Sequence, residues 1–323
     1  MTAPDTAAPL QLAPDATATG APGSPGRLGA LGPVGLVLAG GISVQFGGAL
    51  AVTLMPRAGA LGVVALRLLV AAVVLLVICR PRLRGHSRTD WGTVVVFGVT
   101  MAAMNGLFYQ AVDRIPLGAA VTLEVLGPLA LSVVVSRRAL NLVWAGLALA
   151  GVFLLSGGGG GDGGHGGGFG GGLDLVGVAF ALGAGAMWAA YIVFSARTGR
   201  RFPQADGLAL AMAVGALLFL PLGLAESGTK LADPVTLGLG AAVALLSSVL
   251  PYTLELLALR RMPASTFAIM MSLEPAVAAV AGFLILDQTL TTIQAAAIAL
   301  VVAASMGAVR TQVGRSKPAV PEA

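Results

Sequence analysis

From about residue 31 to residue 309 the chain is a succession of apolar stretches, each of about 20 residues and each ended by charge, Gly or Pro. At about 1.5 Å of rise per residue, a helix of that length crosses a hydrocarbon core of about 30 Å. The bilayer is therefore the solvent this chain is built for. Only 10% of the 323 residues are charged and 57% are hydrophobic, whereas a soluble domain carries roughly 25% charged residues. A water-soluble fold is excluded on that ground.

Ten spans are expected, over about 31–52, 59–79, 91–111, 117–136, 140–156, 173–195, 206–225, 234–258, 264–286 and 290–309. The division between the fourth and fifth rests on Arg137, Arg138 and Asn141, which interrupt a long apolar run. Two arginines in mid-bilayer are costly, so a turn is the cheaper reading. The first 30 residues are rich in Ala, Pro, Thr and Gly and lack the basic start and apolar core of a signal peptide; they read as a disordered cytoplasmic tail.

With the N terminus inside, the cytoplasmic loops and tails hold fifteen of the nineteen Lys and Arg residues. The outer loops hold Arg57, Arg114 and Lys230, and only Arg67 falls within a span. That bias follows the positive-inside rule and places both termini in the cytoplasm of a bacterial inner-membrane protein. The net charge of +5 thus marks topology. The basic residues are scattered over many loops, with no continuous stripe for nucleic acid. A single cysteine, Cys79, rules out an internal disulfide.

An internal repeat appears when Ala111-Val112-Asp113-Arg114-Ile115-Pro116 is set beside Ala258-Leu259-Arg260-Arg261-Met262-Pro263. Twelve residues after each proline stands another, Pro128 and Pro275, and the shift is 147 residues throughout. The charge bias puts the two turns on opposite sides of the membrane. The expected architecture is all-α, ten transmembrane helices as two inverted five-helix repeats over 31–156 and 173–309, with a cytoplasmic tail over 310–323. Gly dominates 157–172, interrupted by Asp162, His165 and Phe169. No Lys-Ser/Thr follows, so this segment reads as a flexible periplasmic linker rather than a phosphate loop.

Polar groups inside spans are expensive and are functional candidates by default. They are Gln45, Arg67, Asn105, Tyr109 and Glu124 in the first half, and Tyr191, Tyr252, Glu255 and Glu274 in the second. Arg67 lies about 12 Å deep, too far to snorkel comfortably. It needs an anion: either the carboxylate of an amino acid, which its planar fork matches, or a permanent partner in Glu124 or Glu274. Glu124 and Glu274 are placed in mid-membrane, where a carboxyl can cycle between protonated and ionised forms and so couple transport to protons, or can brace a helix broken near proline. Glu255 stands nearer the cytoplasmic end. Asn105 and Tyr252 occupy equivalent repeat positions, which favours a shared cavity-lining role. Tyr109, Tyr191 and Trp188 have interfacial packing as an alternative. Small residues such as Gly47, Gly48 and Gly183 to Ala186 are expected to permit close helix packing.

Neither histidine is in a span, and there is no HExxH, no Cys/His cluster and no intramembrane Ser paired with a base. Metal-dependent or hydrolytic chemistry therefore has no visible apparatus, and neither cofactor nor enzymatic activity is expected.

At these residues the chain closely resembles the threonine/homoserine exporters of the drug/metabolite transporter superfamily, built from two EamA-type repeats. The resemblance runs from about 40 to 307. It is carried by Ser43-Val44-Gln45-Phe46-Gly47, the segment ending Leu66-Arg67-Leu68, Phe108-Tyr109, Ile115-Pro116-Leu117-Gly118, Leu250-Pro251-Tyr252, Leu254-Glu255 and Ser272-Leu273-Glu274-Pro275-Ala276. It implies a proton-driven exporter of threonine, homoserine or related amino acids, with Gln45, Arg67, Asn105, Tyr109, Glu124, Tyr252, Glu255 and Glu274 as cavity or gating residues. Alternatives are an exporter of another metabolite or drug on the same fold, or a membrane sensor that binds without transporting. Two departures stand out. Val52 replaces a Lys usual in relatives near the periplasmic mouth, and Asp287-Gln288-Thr289-Leu290 replaces Gly-Glu-Thr-Leu.

Overall fold

The computed structural model describes residues 27–136, 139–157, 173–202, 206–259, 261 and 264–313. The turn expected at Arg137 and Arg138, the Gly-rich linker and most of both tails lie outside the described residues. Every described element is helical: α1 (Arg27–Cys79), α2 (Arg88–Val112), α3 (Leu117–Glu124), α4 (Leu126–Ser136), α5 (Ala139–Gly157), α6 (Leu175–Gly199), α7 (Asp206–Ser227), α8 (Pro234–Ala244), α9 (Leu250–Leu259), α10 (Ala264–Met271), α11 (Glu274–Leu286) and α12 (Thr292–Val313). A 3₁₀ turn over Gly228–Ala232 joins α7 to α8, and a π-helical turn over Leu245–Val249 joins α8 to α9. Among the described residues, seven helices are long and apolar enough to cross a membrane, and Leu117–Leu131 is a shorter apolar helix.

The first and longest of these contains two legs. Gly59 has φ 62° and ψ 168°, which is not helical and is open to glycine without strain. The neighbours of each leg show that the chain reverses there. A Cβ on Gly40 would lie 3.7 Å from Leu254, and one on Gly47 would lie 2.9 Å from the Ser247 nitrogen, so the first leg runs antiparallel to α8–α9. On the second leg, Gly62 faces Leu231 and Leu66 faces Gly240, which is a parallel order. α7 closes the hairpin. The Glu226 carboxylate accepts the backbone N–H groups of Leu61 at 2.7 Å and Gly62 at 3.0 Å, and the Ser227 hydroxyl donates to the Ala58 carbonyl. The donors orphaned where a helix restarts are thus capped.

Two local irregularities fall within segments that the hydropathy reads as continuous, at Val125 and at Ser272–Leu273, where Val125 and Leu273 keep right-handed helical angles. α3 stops at Glu124, and α4 begins at Leu126. α10 stops at Met271, and α11 begins at Glu274. Both α3 and α10 have 8 residues, and their starts, Leu117 and Ala264, are separated by the same 147-residue shift as the prolines. Glu124 and Glu274 therefore each sit next to such an irregularity.

Close approach of small residues holds the helices together, as expected where lipid removes the hydrophobic drive for association. α2 and α7 meet at Gly98, where an added Cβ would lie 2.7 Å from the Ala211 carbonyl. α4 and α6 cross at Gly127, where it would strike the Gly185 carbonyl. The main core combines Tyr109, Leu54, Leu68, Met101, Leu117 and Leu123, all within 2% of full burial.

Candidate functional site

The deep arginine is held by three hydrogen bonds. Arg67 Nε donates to the Ser248 hydroxyl at 3.1 Å, Nη1 to the Tyr109 hydroxyl at 3.1 Å, and Nη2 to the Ser247 carbonyl at 2.9 Å. Its guanidinium carbon also lies 5.6 Å from the centre of the Tyr109 ring, a cation–π distance. Among the described residues it makes no ion pair within 4.0 Å. The permanent partner weighed for Arg67 is thus not a direct salt bridge to Glu124 or Glu274. A guanidinium has five N–H donors; three are committed, leaving one on each terminal nitrogen. A carboxylate can accept from such terminal N–H groups.

Local structure explains why Arg67 is so firmly oriented. The π turn at Leu245–Val249 brings both Ser247 and Ser248 to the arginine, and such turns are frequent at functional sites. Ser247 is tied through its hydroxyl to the Val243 carbonyl at 2.6 Å. Ser43 on α1 donates to the Leu246 carbonyl at 2.6 Å. Gly47 admits the π turn against α1, since a Cβ there would lie about as close to Ser247 as atoms can approach. Tyr109 is fully buried.

The other candidates gather around this anchor. Glu124 and Tyr252 are both within electrostatic range of Arg67, and Glu274 is within range of Glu124 and Glu255. Tyr252 and Tyr191 are within hydrogen-bonding reach of each other, and Ser195 is within reach of Tyr191. Glu255 packs near the first leg of α1, its Cγ 3.7 Å from where a Cβ on Gly40 would be. Glu274 is 7% exposed and Gln45 4%, and neither makes a hydrogen bond to a described residue. Asn105 is 5% exposed and donates through Nδ2 to the Met101 carbonyl at 2.8 Å. Trp188 packs against the core, and Tyr191 lies against Phe97 with ring centres 5.3 Å apart.

The set brings together a guanidinium with two N–H groups uncommitted among the described residues and several carboxylates without a direct cationic partner. The residues that orient Arg67, namely Ser43, Ser247 and Ser248, were missed from the sequence. The Ser-Ser pair in the middle of an apolar run was the available signal. Among the described residues, no group of three metal-ligating side chains is assembled.

Residues 175–310 match the family model described as the EamA-like transporter family. The chain is 40% identical over 282 residues to the threonine/homoserine exporter RhtA of Escherichia coli strain K12, covering 87% of this chain and 92% of that one. It is 40% identical over 269 residues to the exporter of the same name in Salmonella typhimurium strain SL1344, covering 83% and 88%. It is 27% identical over 209 residues to the uncharacterized transporter YwfM of Bacillus subtilis strain 168, covering 62% and 67%. A crystal structure 18% identical in sequence shares the fold, with a TM-score of 0.56 over 88% of this chain and 99% of that one.

Proposed function

Because the chain belongs to the EamA-like transporter family, within the drug/metabolite transporter superfamily, we propose that it is a secondary exporter of small neutral polar amino acids, threonine and homoserine foremost. The observation that carries this reading is the Arg67 fork, oriented by Ser247, Ser248 and Tyr109 with two donors uncommitted. In a site shielded from water, a preoriented guanidinium binds a carboxylate without first paying to be ordered. The carboxylates of Glu124 and Glu274 then receive the substrate ammonium or a proton. Competition between those two cargoes for the same groups couples export to the proton gradient.

The transport cycle we envisage is alternating access in ten crossings arranged as two inverted halves, with both termini cytoplasmic. The break at Gly59 supplies the first two crossings, α3 with α4 a fourth, α8 with α9 an eighth and α10 with α11 a ninth. In support, the eight-residue helices α3 and α10 recur at the repeat interval, each ending beside an intramembrane carboxylate.

The test is flux in proteoliposomes containing the purified protein. An imposed pH gradient drives labelled threonine or homoserine across the membrane if the reading is right. Absence of any gradient-driven flux of either amino acid, with the protein intact, overturns it.

A further inference from the structure

We infer that Asn105 is a specificity-determining residue that accepts a hydrogen bond from the side-chain hydroxyl of the transported amino acid. The inference rests on the reading of Arg67 as the carboxylate anchor. Asn105 stands four residues before Tyr109 on α2, which places it on the same helical face about 6 Å along the axis from the residue that holds Arg67.

The amide is oriented by its own helix. Nδ2 donates to the Met101 carbonyl at 2.8 Å, so the amino group points back along α2 and Oδ1 turns away from it. Oδ1 accepts no hydrogen bond from a described residue, although Asn105 is only 5% exposed. Oδ1 is not among the enclosed side-chain atoms that lack a partner, so it keeps accessible surface, where a filled site can bring it a donor. The substrate ammonium is met more strongly by the neighbouring carboxylates of Glu124 and Glu274. The remaining donor on a hydroxylated amino acid is its hydroxyl. An aliphatic analogue fills the same space but leaves Oδ1 unpaired, and this is the arrangement by which a polar site rejects an isostere lacking a hydroxyl.

The experiment is competition against labelled threonine counterflow in proteoliposomes, using threonine, homoserine, 2-aminobutyrate and valine. In the unmodified protein, threonine and homoserine compete at least about tenfold better than 2-aminobutyrate and valine. In Asn105→Leu and in Asn105→Ala that preference falls to within about twofold, while competition by 2-aminobutyrate is unchanged or improved. Retained 2-aminobutyrate competition also shows that the variant is folded. A tenfold preference surviving in either competent variant overturns the assignment, as does its absence from the unmodified protein. Threonine methyl ester identifies the separate failure: if it competes as well as threonine, the carboxylate role of Arg67 is wrong, and the hydroxyl ratio still decides Asn105 by itself.

Discussion

Gln288, from the turn between α11 and α12, accepts the backbone N–H of Leu117 at 3.0 Å and so caps the start of α3. Pro116 has no side chain able to do this, and the helix that carries Glu124 is therefore anchored by the second half of the molecule. This gives a role to the second departure from the relatives' pattern. Asp287 adopts the left-handed conformation with φ 52°, the place where their Gly would fit without strain, and Gln288 stands where they have Glu. Gln288→Ala lowers stability by about 1 kcal/mol, Gln288→Glu preserves it, and Asp287→Gly raises it by ~0.5 kcal/mol. Thermal unfolding in detergent orders the three variants.

Glu226 and Gly59 make a second staple. Gly59 takes a conformation that excludes most side chains, and a Cβ there would also strike the Glu226 carboxylate. Gly59→Ala is expected to cost at least about 2 kcal/mol through backbone strain and displacement of the cap. Glu226→Ala, which leaves the Leu61 and Gly62 N–H groups uncapped, costs about 1 kcal/mol. Both appear as lower midpoints in the same unfolding measurement.

Tyr109→Phe removes the acceptor for Arg67 Nη1 while keeping the ring beneath the guanidinium. Threonine affinity in counterflow falls about tenfold, the worth of one hydrogen bond to a charged group. Ser248→Ala, which frees Nε, has a similar effect. Both variants retain their melting temperature to within a few degrees if the role is to position the arginine.

Glu274→Gln separates coupling from binding. The neutral amide cannot exchange a proton, so pH-driven threonine flux is abolished while threonine counterflow, which needs no net proton movement, continues. Flux measured with and without an imposed gradient checks this. Retained pH-driven flux returns Glu274 to the role of bracing the irregularity before α11.

The helical segments were legible because each depends on a local feature, apolar length, and the paired prolines were legible as a sequence pattern. What those prolines meant was only half legible. They lie beside local irregularities in two helices, next to Glu124 and Glu274, and hydropathy is blind to an irregularity whose flanks are both apolar. Arg67 was readable as a lone basic residue within an apolar stretch, but its partners were not. Ser247 and Ser248 reach it because a π turn shifts the register of their helix, and Gly47 lets α1 approach that turn. The caps supplied by Glu226 and Gln288 join residues more than 160 positions apart, beyond any local pattern.

The most direct measurement of the central claim is threonine counterflow by Arg67→Ala and Arg67→Lys in proteoliposomes, with folding checked by thermal unfolding. Lys keeps the charge but loses the planar fork. We predict that Arg67→Ala loses threonine affinity by about a hundredfold or more, and that Arg67→Lys recovers only part of it. A folded Arg67→Ala protein that takes up threonine with unchanged affinity would contradict the account.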